Sequence, residues 1–557
     1  MIKNIIFVTL FLVVICGWSD LPFQGNSLCC ASEVLYESRL DKGLSNTEAY
    51  SYLLIQKARE DKGRARELLE TAKEYSPNLP AVYFELARQS FSFSSDGIFE
   101  GIDYVRQGLN AYKSNFWWQF NLDGELYISL LISYVLALII TVAIRLPLEQ
   151  PLLLHDILED KRKGLFLLSL LLLSLFGFFA LLAGALFLVG LYLRKEDRVF
   201  VYMAFFSLLL SPLILRVADT FLVPPSPELR AIVAVNEGED NQYALATLKA
   251  GKDFPSDFSY ALALKREGDP LDAIQIYKAL LTRSASPLVL TNLGNAYYDL
   301  KDLEAAKESY QSAVGIKPLP AAFYNLSQVY RETLDFAKGD EYFLEAAKLD
   351  NKAVSRFVAM SGKSPNRFVV DETLPMSDLW EYAQGRGRIF GLSFSLAAAL
   401  MIPAFFLVNK KIKVRAHRCK RCGAIFCSKC SRNLIWSEMC PRCYRFLIKV
   451  EELDSRERIA SILSVYQIQT KRRRTVKLLA YTVPGLGQIY SGRVLTGLLF
   501  LWLFLFPLSV LVMNRHPFTG LSPFVQGWLE PPAILLMGLA YLFSIIHMRR
   551  GISRGWL

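Results

Sequence analysis

Apolar residues along this chain are bunched, and the bunches reach membrane length. Leu126–Ile144, Leu165–Leu193, Val199–Leu215 and Ile389–Val408 are such stretches, with two more at about Val494–Val512 and Ala533–Ile546. About 20 apolar residues in a helix span the hydrocarbon core of a bilayer. The pattern therefore predicts a multi-span helical membrane protein, with membrane segments over 126–216, one helix over 389–408 and a hairpin over 476–548. Between these stretches, over 46–113 and 254–352, the apolar positions recur at helical spacing and predict paired amphipathic helices. The first residues add one more apolar run. Lys3 precedes Ile5–Ile15, and Gly17 and Ser19 sit where a cleavage site needs small residues. Residues 1–19 read as a secretory signal peptide, or as an uncleaved anchor of the same orientation. Cys16 follows Ile15, so no lipobox fits.

Composition agrees with this reading: 52% of residues are hydrophobic and the mean hydropathy is +0.26. Charge refines it. The net +11 is local: 409–475 hold 18 Lys/Arg against 5 Asp/Glu, while 217–385 hold 17 against 24. Short basic flanks mark the cytoplasmic side of a membrane. Lys410–Arg421 after Val408, Lys471–Arg474, and Arg549 with Arg550 place 409–475 and the C-terminal tail in the cytoplasm. An outside start followed by four spans would put residue 409 outside, so one stretch must cross an even number of times. Leu165–Leu193 is the candidate. It is too long for one ordinary span, carries Gly177 and Gly184, and is basic at both ends (Lys161–Lys163; Arg194, Lys195, Arg198). Read as a tight or re-entrant hairpin, it leaves 217–385 outside. Read as one long tilted helix, it places them in the cytoplasm.

Residues 254–352 repeat with a period of 33. Ala273, Ala306 and Gly339 are in register, as are Tyr277, Tyr310 and Phe343, and Leu280, Ala313 and Ala346. Leu293-Gly294 with Tyr297 corresponds to Leu326-Ser327 with Tyr330, and Pro318 closes the middle unit. This pattern resembles the tetratricopeptide repeat, a helix pair of about 34 residues. A small residue lets two helices approach, and the aromatic four residues on fills the groove between units. An ordinary amphipathic bundle would not hold three units in one register. Ala65, Leu69, Ala72 and Pro77, then Tyr83, Leu86 and Ala87, echo the pattern and suggest two degenerate repeats over 46–113, interrupted at 92–97. The resemblance implies a groove for protein partners. The four histidines (His155, His417, His516 and His547) all lie outside both repeat regions, which excludes histidine-dependent catalysis there. The chain also lacks a P-loop or dinucleotide fingerprint, so a non-enzymatic role is expected.

The cysteines are clustered too. Of nine, Cys16, Cys29 and Cys30 lie near the start, and the other six fall between Cys419 and Cys443. Cys419/Cys422 and Cys440/Cys443 form C-x2-C-x17-C-x2-C, two knuckles able to offer four thiolates to zinc. A redox dithiol is the other reading, but it would not need three C-x2-C pairs. The inner pair is Cys427/Cys430. The stretch HRCKRCGAIFCSKCS with CPRCY downstream resembles the centre and end of a FYVE-type zinc finger. That resemblance implies that Cys419, Cys422, Cys440 and Cys443 share one zinc. Cys427 and Cys430 would belong to a second, whose upstream pair is missing here and toward which His417 is a weak candidate. Ala416 and Arg418 break that family's basic lipid-binding run, so phosphoinositide binding is not carried over. The module spans 415–446, and a closed four-cysteine site implies structural zinc. Its positive surface reads first as a topology signal against anionic headgroups, and nucleic acid is the less favoured partner.

Near the C-terminus, Pro484-Gly485-Leu486-Gly487-Gln488-Ile489-Tyr490-Ser491-Gly492 resembles a motif of small bacterial membrane hairpins; a plain re-entrant turn is the other reading. The fold class expected is mainly α: tetratricopeptide-like helical repeats, multi-span α-helical membrane segments and a small zinc-binding module. The function expected is a scaffold in a bacterial inner membrane, with repeats in the periplasm and zinc in the cytoplasm. A zinc-dependent nucleic-acid-binding regulator and an accessory subunit of a transport or secretion complex are the alternatives.

Overall fold

The computed structural model describes residues 46–92, 94–157, 175, 177–238, 242–361, 368–384, 392–411, 416–419, 421–427, 439–447, 455–515 and 529–554. The leader 1–19, Cys16, Cys29, Cys30, Cys430 and His516 lie outside them. Among the described residues there are 24 helices, and the strands are one two-residue pair, His417–Arg418 with Ile425–Phe426. The chain divides into two compact units. One is Val235–Thr373; the other joins Glu48–Ala234 to Leu374–Leu557.

In the first unit, helices come in pairs: Phe254–Glu267 with Pro270–Arg283, Pro287–Asp299 with Leu303–Ile316, and Pro320–Glu332 with Phe336–Leu349. Gln242–Lys249 precedes the pairs and Asn351–Ser361 follows them. Pro270, Pro287 and Pro320 stand in the first turn of their helices, where a missing N–H costs nothing. The turn inside each pair repeats at the same period of 33. Gly268, Lys301 and Leu334 all have left-handed φ, at 98°, 63° and 63°. Each lets the next residue's N–H reach back, Asp269 to the Leu264 carbonyl (2.9 Å), Asp302 to Tyr297 (3.0 Å) and Asp335 to Tyr330 (2.8 Å). Asp302 and Asp335 then cap the following helix through Ala305 N and Lys338 N. Ala273, Ala306, Tyr277 and Tyr310 are fully buried, as the register predicts. A Cβ on Gly294 would stand 2.5 Å from the Tyr310 ring, so the glycine makes room for the aromatic.

In the second unit, Glu48–Glu60, Ala65–Tyr75, Pro80–Ser90 and Ser95–Tyr112 pack around Ile55, Leu69, Leu79, Val82 and Leu86. Of the interruption at 92–97, residue 93 lies outside the described residues and 95–97 already belong to the next helix. Ser94 accepts a hydrogen bond from Gly97 N and starts the last of these helices.

The apolar segments form helices, with three departures from the expected boundaries. Leu126–Ile144 lies within one helix, Phe116–Ile157, that continues through Pro147 and Pro151. Val199–Leu215 is not straight: Arg198–Leu209 and Ser211–Leu222 meet at 63°. Pro212 lies in the first turn of the second piece, where its ring and missing N–H break the ladder. Leu165–Leu193 is interrupted at Gly177, whose φ is 99°, and the helix after it, Phe178–Tyr192, has 15 residues. Such a helix is about 22 Å long, shorter than a bilayer core. The rest of that stretch, where a return would lie, is outside the described residues apart from Leu175. Among the described residues, four helices are long and apolar enough to cross a membrane, or five if the bent pair is one span.

The C-terminal motif joins Ser455–Thr482 to Val494–Arg515 through a short helix, Leu486–Ser491. Gln488 donates to the Ser544 carbonyl and hydroxyl, both at 3.0 Å, and Gly485 N donates to the same hydroxyl at 3.1 Å. A Cβ on Gly485 would meet the Gly497 carbonyl at 2.1 Å. The motif's glycines and glutamine thus lock it against the last helix, Glu530–Ser553.

Candidate metal centre and peptide groove

The two outer cysteine pairs converge. The ligand atoms of Cys419, Cys422, Cys440 and Cys443 lie within 4.8 Å of one another. The first pair sits on a tight turn: Cys419 N donates to the Ala424 carbonyl and Gly423 N to the Cys419 carbonyl, both at 2.9 Å. The strand pair His417–Arg418 and Ile425–Phe426 flanks that turn. The second pair opens the helix Pro441–Leu447. Cys419 and Cys443 sulfurs are 3.7 Å apart, and Cys422 and Cys440 are 3.5 Å apart. An ion held tetrahedrally at about 2.3 Å from each sulfur needs sulfurs about 3.8 Å apart. The four thiols fit such an ion. Backbone N–H groups already face the sulfurs: Cys440 N is 3.4 Å from Cys419 Sγ and Cys443 N is 3.5 Å from Cys440 Sγ. Burial pushes the Cys419 thiol up, but the N–H groups of Cys422, Cys440 and Arg421 outweigh it and bring it down to about 7. Burial raises Cys443, and its thiol neighbours add to the effect.

Cys427 does not join this cluster. It is buried with Leu152 and Ala416, against Tyr192 and Ile425. His417 lies on the first strand with its ring against Phe426. Cys430, the other half of the inner pair, lies outside the described residues. The module is tied to the end of the helix Phe116–Ile157. Ala416 N donates to both Asp156 oxygens (2.8 and 3.1 Å), and the Arg418 guanidinium donates to the Leu148 carbonyl at 2.5 Å.

The repeats were expected to form a groove for protein partners, but its occupation by a segment of the same chain was not expected. Residues Phe368–Glu372 run extended across the first helices of the three pairs, from the third unit toward the first. Asn325 pairs both ways with Val370, donating to its carbonyl and accepting from its N–H at 2.8 Å. Asn292 does the same with Glu372, at 2.8 and 2.9 Å. Asn295 donates to the Val370 carbonyl (3.0 Å) and to Asp371 (2.8 Å). Asp371 is also held by Lys265 Nζ at 2.9 Å and Arg266 Nε at 3.0 Å. Burial alone would raise the Asp371 carboxyl, but these two cations hold it below its usual value. Phe368 packs against Tyr324, Val354 and Met360, and Val369 against Tyr298, Tyr310 and Leu326. Main-chain pairing of this kind accepts any residue, whereas the apolar contacts and the Asp371 cage select side chains. The sequence did carry a trace: Asn292 and Asn325 are 33 residues apart, at one repeat position.

Residues 289–318 and 320–352 match the tetratricopeptide repeat family. These two tetratricopeptide repeats supply Asn292, Asn295 and Asn325 from their first helices, the ones that line the inner face when such pairs stack. Repeats of this kind suggest scaffolding through protein contacts, and the four cysteines could hold a metal ion. No curated protein matches the chain.

Proposed function

We propose that this protein is a membrane-anchored scaffold whose repeat groove holds extended peptides, with a structural zinc knuckle on its cytoplasmic side. One observation carries the peptide reading: the asparagines of successive repeats pair with alternate residues of an extended main chain. The segment in the groove belongs to the same chain, so a partner using this face displaces Phe368–Glu372. Thiolate ligands at tetrahedral spacing favour zinc, and a closed set of four favours a structural ion. Membrane anchoring is supported by the apolar helices and by their ends. Phe116, Phe120, Phe221 and Trp380 cluster near one end of the long helix, whereas Arg145 lies 25 residues beyond Phe120. That separation is about 38 Å along a helix, close to a bilayer with its headgroups. Aromatic and basic residues are the usual markers of the two interfaces. The reading puts the arginine end and the cysteines in the cytoplasm of a bacterial inner membrane, with the repeats on the opposite side.

A labelled peptide of residues 366–374, added to the full chain carrying Val370→Pro and Asp371→Ala, tests the groove. The expected result is saturable binding that the unmodified chain shows weakly. No binding to either chain would sink the peptide reading. Reporter fusions after residues 240, 360 and 460 test the sides, and an external signal at 460 would overturn the cytoplasmic knuckle.

A further inference from the structure

A cavity of about 520 Å³ lies in the second unit, between the long helix, the cysteine module and the C-terminal motif. Six basic residues line it: Arg145, Arg194, Arg418, Arg421, Lys471 and Arg472. One carboxylate, Glu149, faces them, and it is paired with Arg145. Two of the six are anchored and shape the wall. Arg145 donates to the Ile489 and Tyr490 carbonyls at 3.3 and 3.5 Å, and Arg418 to Leu148. Arg194, Arg421, Lys471 and Arg472 make no ion pair among the described residues. Of the nearby acids, Asp197 accepts from Leu495 N at 2.8 Å while its charge also acts on Arg194 and Arg145, and Asp156 accepts from Ala416 N and Tyr192 Oη.

The guanidiniums also converge. A Cβ on Gly492 would lie 3.8 Å from Arg145 Nη1 and 3.9 Å from Arg194 Nη2, so two forks, one from the long helix and one from the loop after Phe178–Tyr192, face one glycine. Gly492 has φ of 92°, which suits a residue without a side chain. Burial, then the charges of Arg418 and Arg194, hold Arg472 below its ordinary value. Like charges gathered around a cavity destabilise one another unless an anion sits among them. The height of the cavity matters as well. Arg145 follows the apolar run ending at Ile144, Arg194 follows the helix Phe178–Tyr192, and Gly492 precedes Val494–Arg515. Three apolar segments therefore end where the guanidiniums meet. At that level a bilayer offers phosphates.

We propose that this cavity binds a phosphate group, presented by an anionic lipid headgroup or by a soluble phosphate ester. Arginine forks suit this ligand because two parallel N–H groups match two phosphate oxygens. The site is built mainly by residues outside the cysteine stretch, and it stands independently of the scaffold reading.

The test uses the full, metal-loaded chain in two arms. One titrates inorganic phosphate into detergent-solubilised protein. The other compares lipid retained from phosphatidylglycerol and phosphatidylcholine nanodiscs by native mass spectrometry. The expected result is saturable binding in at least one arm. Arg194→Gln with Arg472→Gln should weaken it at least tenfold. Arg473→Gln with Arg474→Gln, which removes the same charge from exposed neighbours outside the cavity, should change it less than about twofold. Binding in the lipid arm alone assigns a headgroup, and binding of phosphate in solution assigns a soluble ester. If the first pair fails to fold, Arg194→Lys with Arg472→Lys keeps the charge and removes the forks; several-fold weakening is expected. Equal loss in both glutamine pairs, or no saturable binding in either arm, overturns the proposal. So does unchanged affinity in the lysine pair.

Discussion

The repeat groove and the cysteine knuckle both hold something by convergent side chains, but they are stabilised in opposite ways. The groove rests on a large periodic core. Tyr277, Tyr310 and Tyr324 are fully buried, and each helix pair is closed by the same turn at Gly268, Lys301 or Leu334. Its extended segment is held by many modest contacts. The knuckle has almost no core: Cys419, Phe426, Cys440 and Cys443, with Met439 and Val465 against them. Four sulfurs brought within 4.8 Å are themselves the organising contact. Loss of one contact should therefore be graded in the groove and all-or-none in the knuckle.

The largest effect expected is metal removal. Zinc in small four-ligand sites contributes on the order of 10–16 kcal/mol to folding. Chelation, or Cys419→Ser with Cys443→Ser, should abolish bound metal and open 416–447 to protease. Cys427→Ser should leave the metal in place, since Cys427 packs with Leu152 and Ala416. Metal analysis of the purified chain decides both, and loss of metal in Cys427→Ser would merge the inner pair with the outer site.

Next in size is Asp371→Ala. It removes the carboxylate that Lys265 and Arg266 share, leaving Lys265 with Asp299 at 3.6 Å, and breaking a buried pair costs up to about 3–5 kcal/mol. Amide exchange should accelerate in 368–373 while the helices stay protected. Equal acceleration throughout the repeats would mean that the segment is core and not an occupant.

Gly294→Ala should cost about 1–3 kcal/mol, because the new methyl meets the Tyr310 ring. Gly315→Ala, with nothing within 4 Å, should be neutral or stabilising in a denaturation series. Leu334→Gly should stabilise the unit by about 1 kcal/mol, because a left-handed residue with a side chain is strained and this one is exposed. A lower melting temperature for Leu334→Gly would show that Leu334 packs in solution.

The smallest effect concerns pH. Burial, then the Asp371 charge, pushes the Glu372 carboxyl up to about 7. An acid whose pKa is raised on docking favours the docked state below its free value, and that gain is lost as pH rises toward 7. Glu372 keeps some exposure, so the change is discounted to the order of 1 kcal/mol or less. Exchange protection of 368–373 should be weaker at pH 7.5 than at 5.5 after correction for the intrinsic rate. Equal or stronger protection at 7.5 would show that Glu372 does not gain a proton on docking, since Asp371, held below its usual value, stays ionised across this range.

Periodic features were legible in the sequence. Ala306 and Tyr310 are packed as their register demands, and the outer C-x2-C pairs meet as their spacing suggests. Both signals are local or repeat many times. The groove's occupant was not legible, because FVVDE carries no period and its meaning depends on Lys265 and Arg266, more than 100 residues earlier. Only folding makes those cations interior and Asp371 their partner. Cys427 is a different case: its spacing from Cys430 suggests a ligand, Cys430 lies outside the described residues, and Cys427 itself is buried beside Leu152. The bend at Pro212 was hidden by hydropathy, which counts proline's neighbours and ignores its missing N–H.

The helix Phe116–Ile157 has 42 residues, about 63 Å of unbroken rod. Trp118, near its start, is wedged into the core of the N-terminal helix pairs, and Asp156, at its end, grips the cysteine module through Ala416. A rod clasped at both ends ties the N-terminal pairs and the cysteine module to a single element. Pro147 and Pro151 interrupt the backbone ladder just before the grip. They are the compliant coupling in that rod.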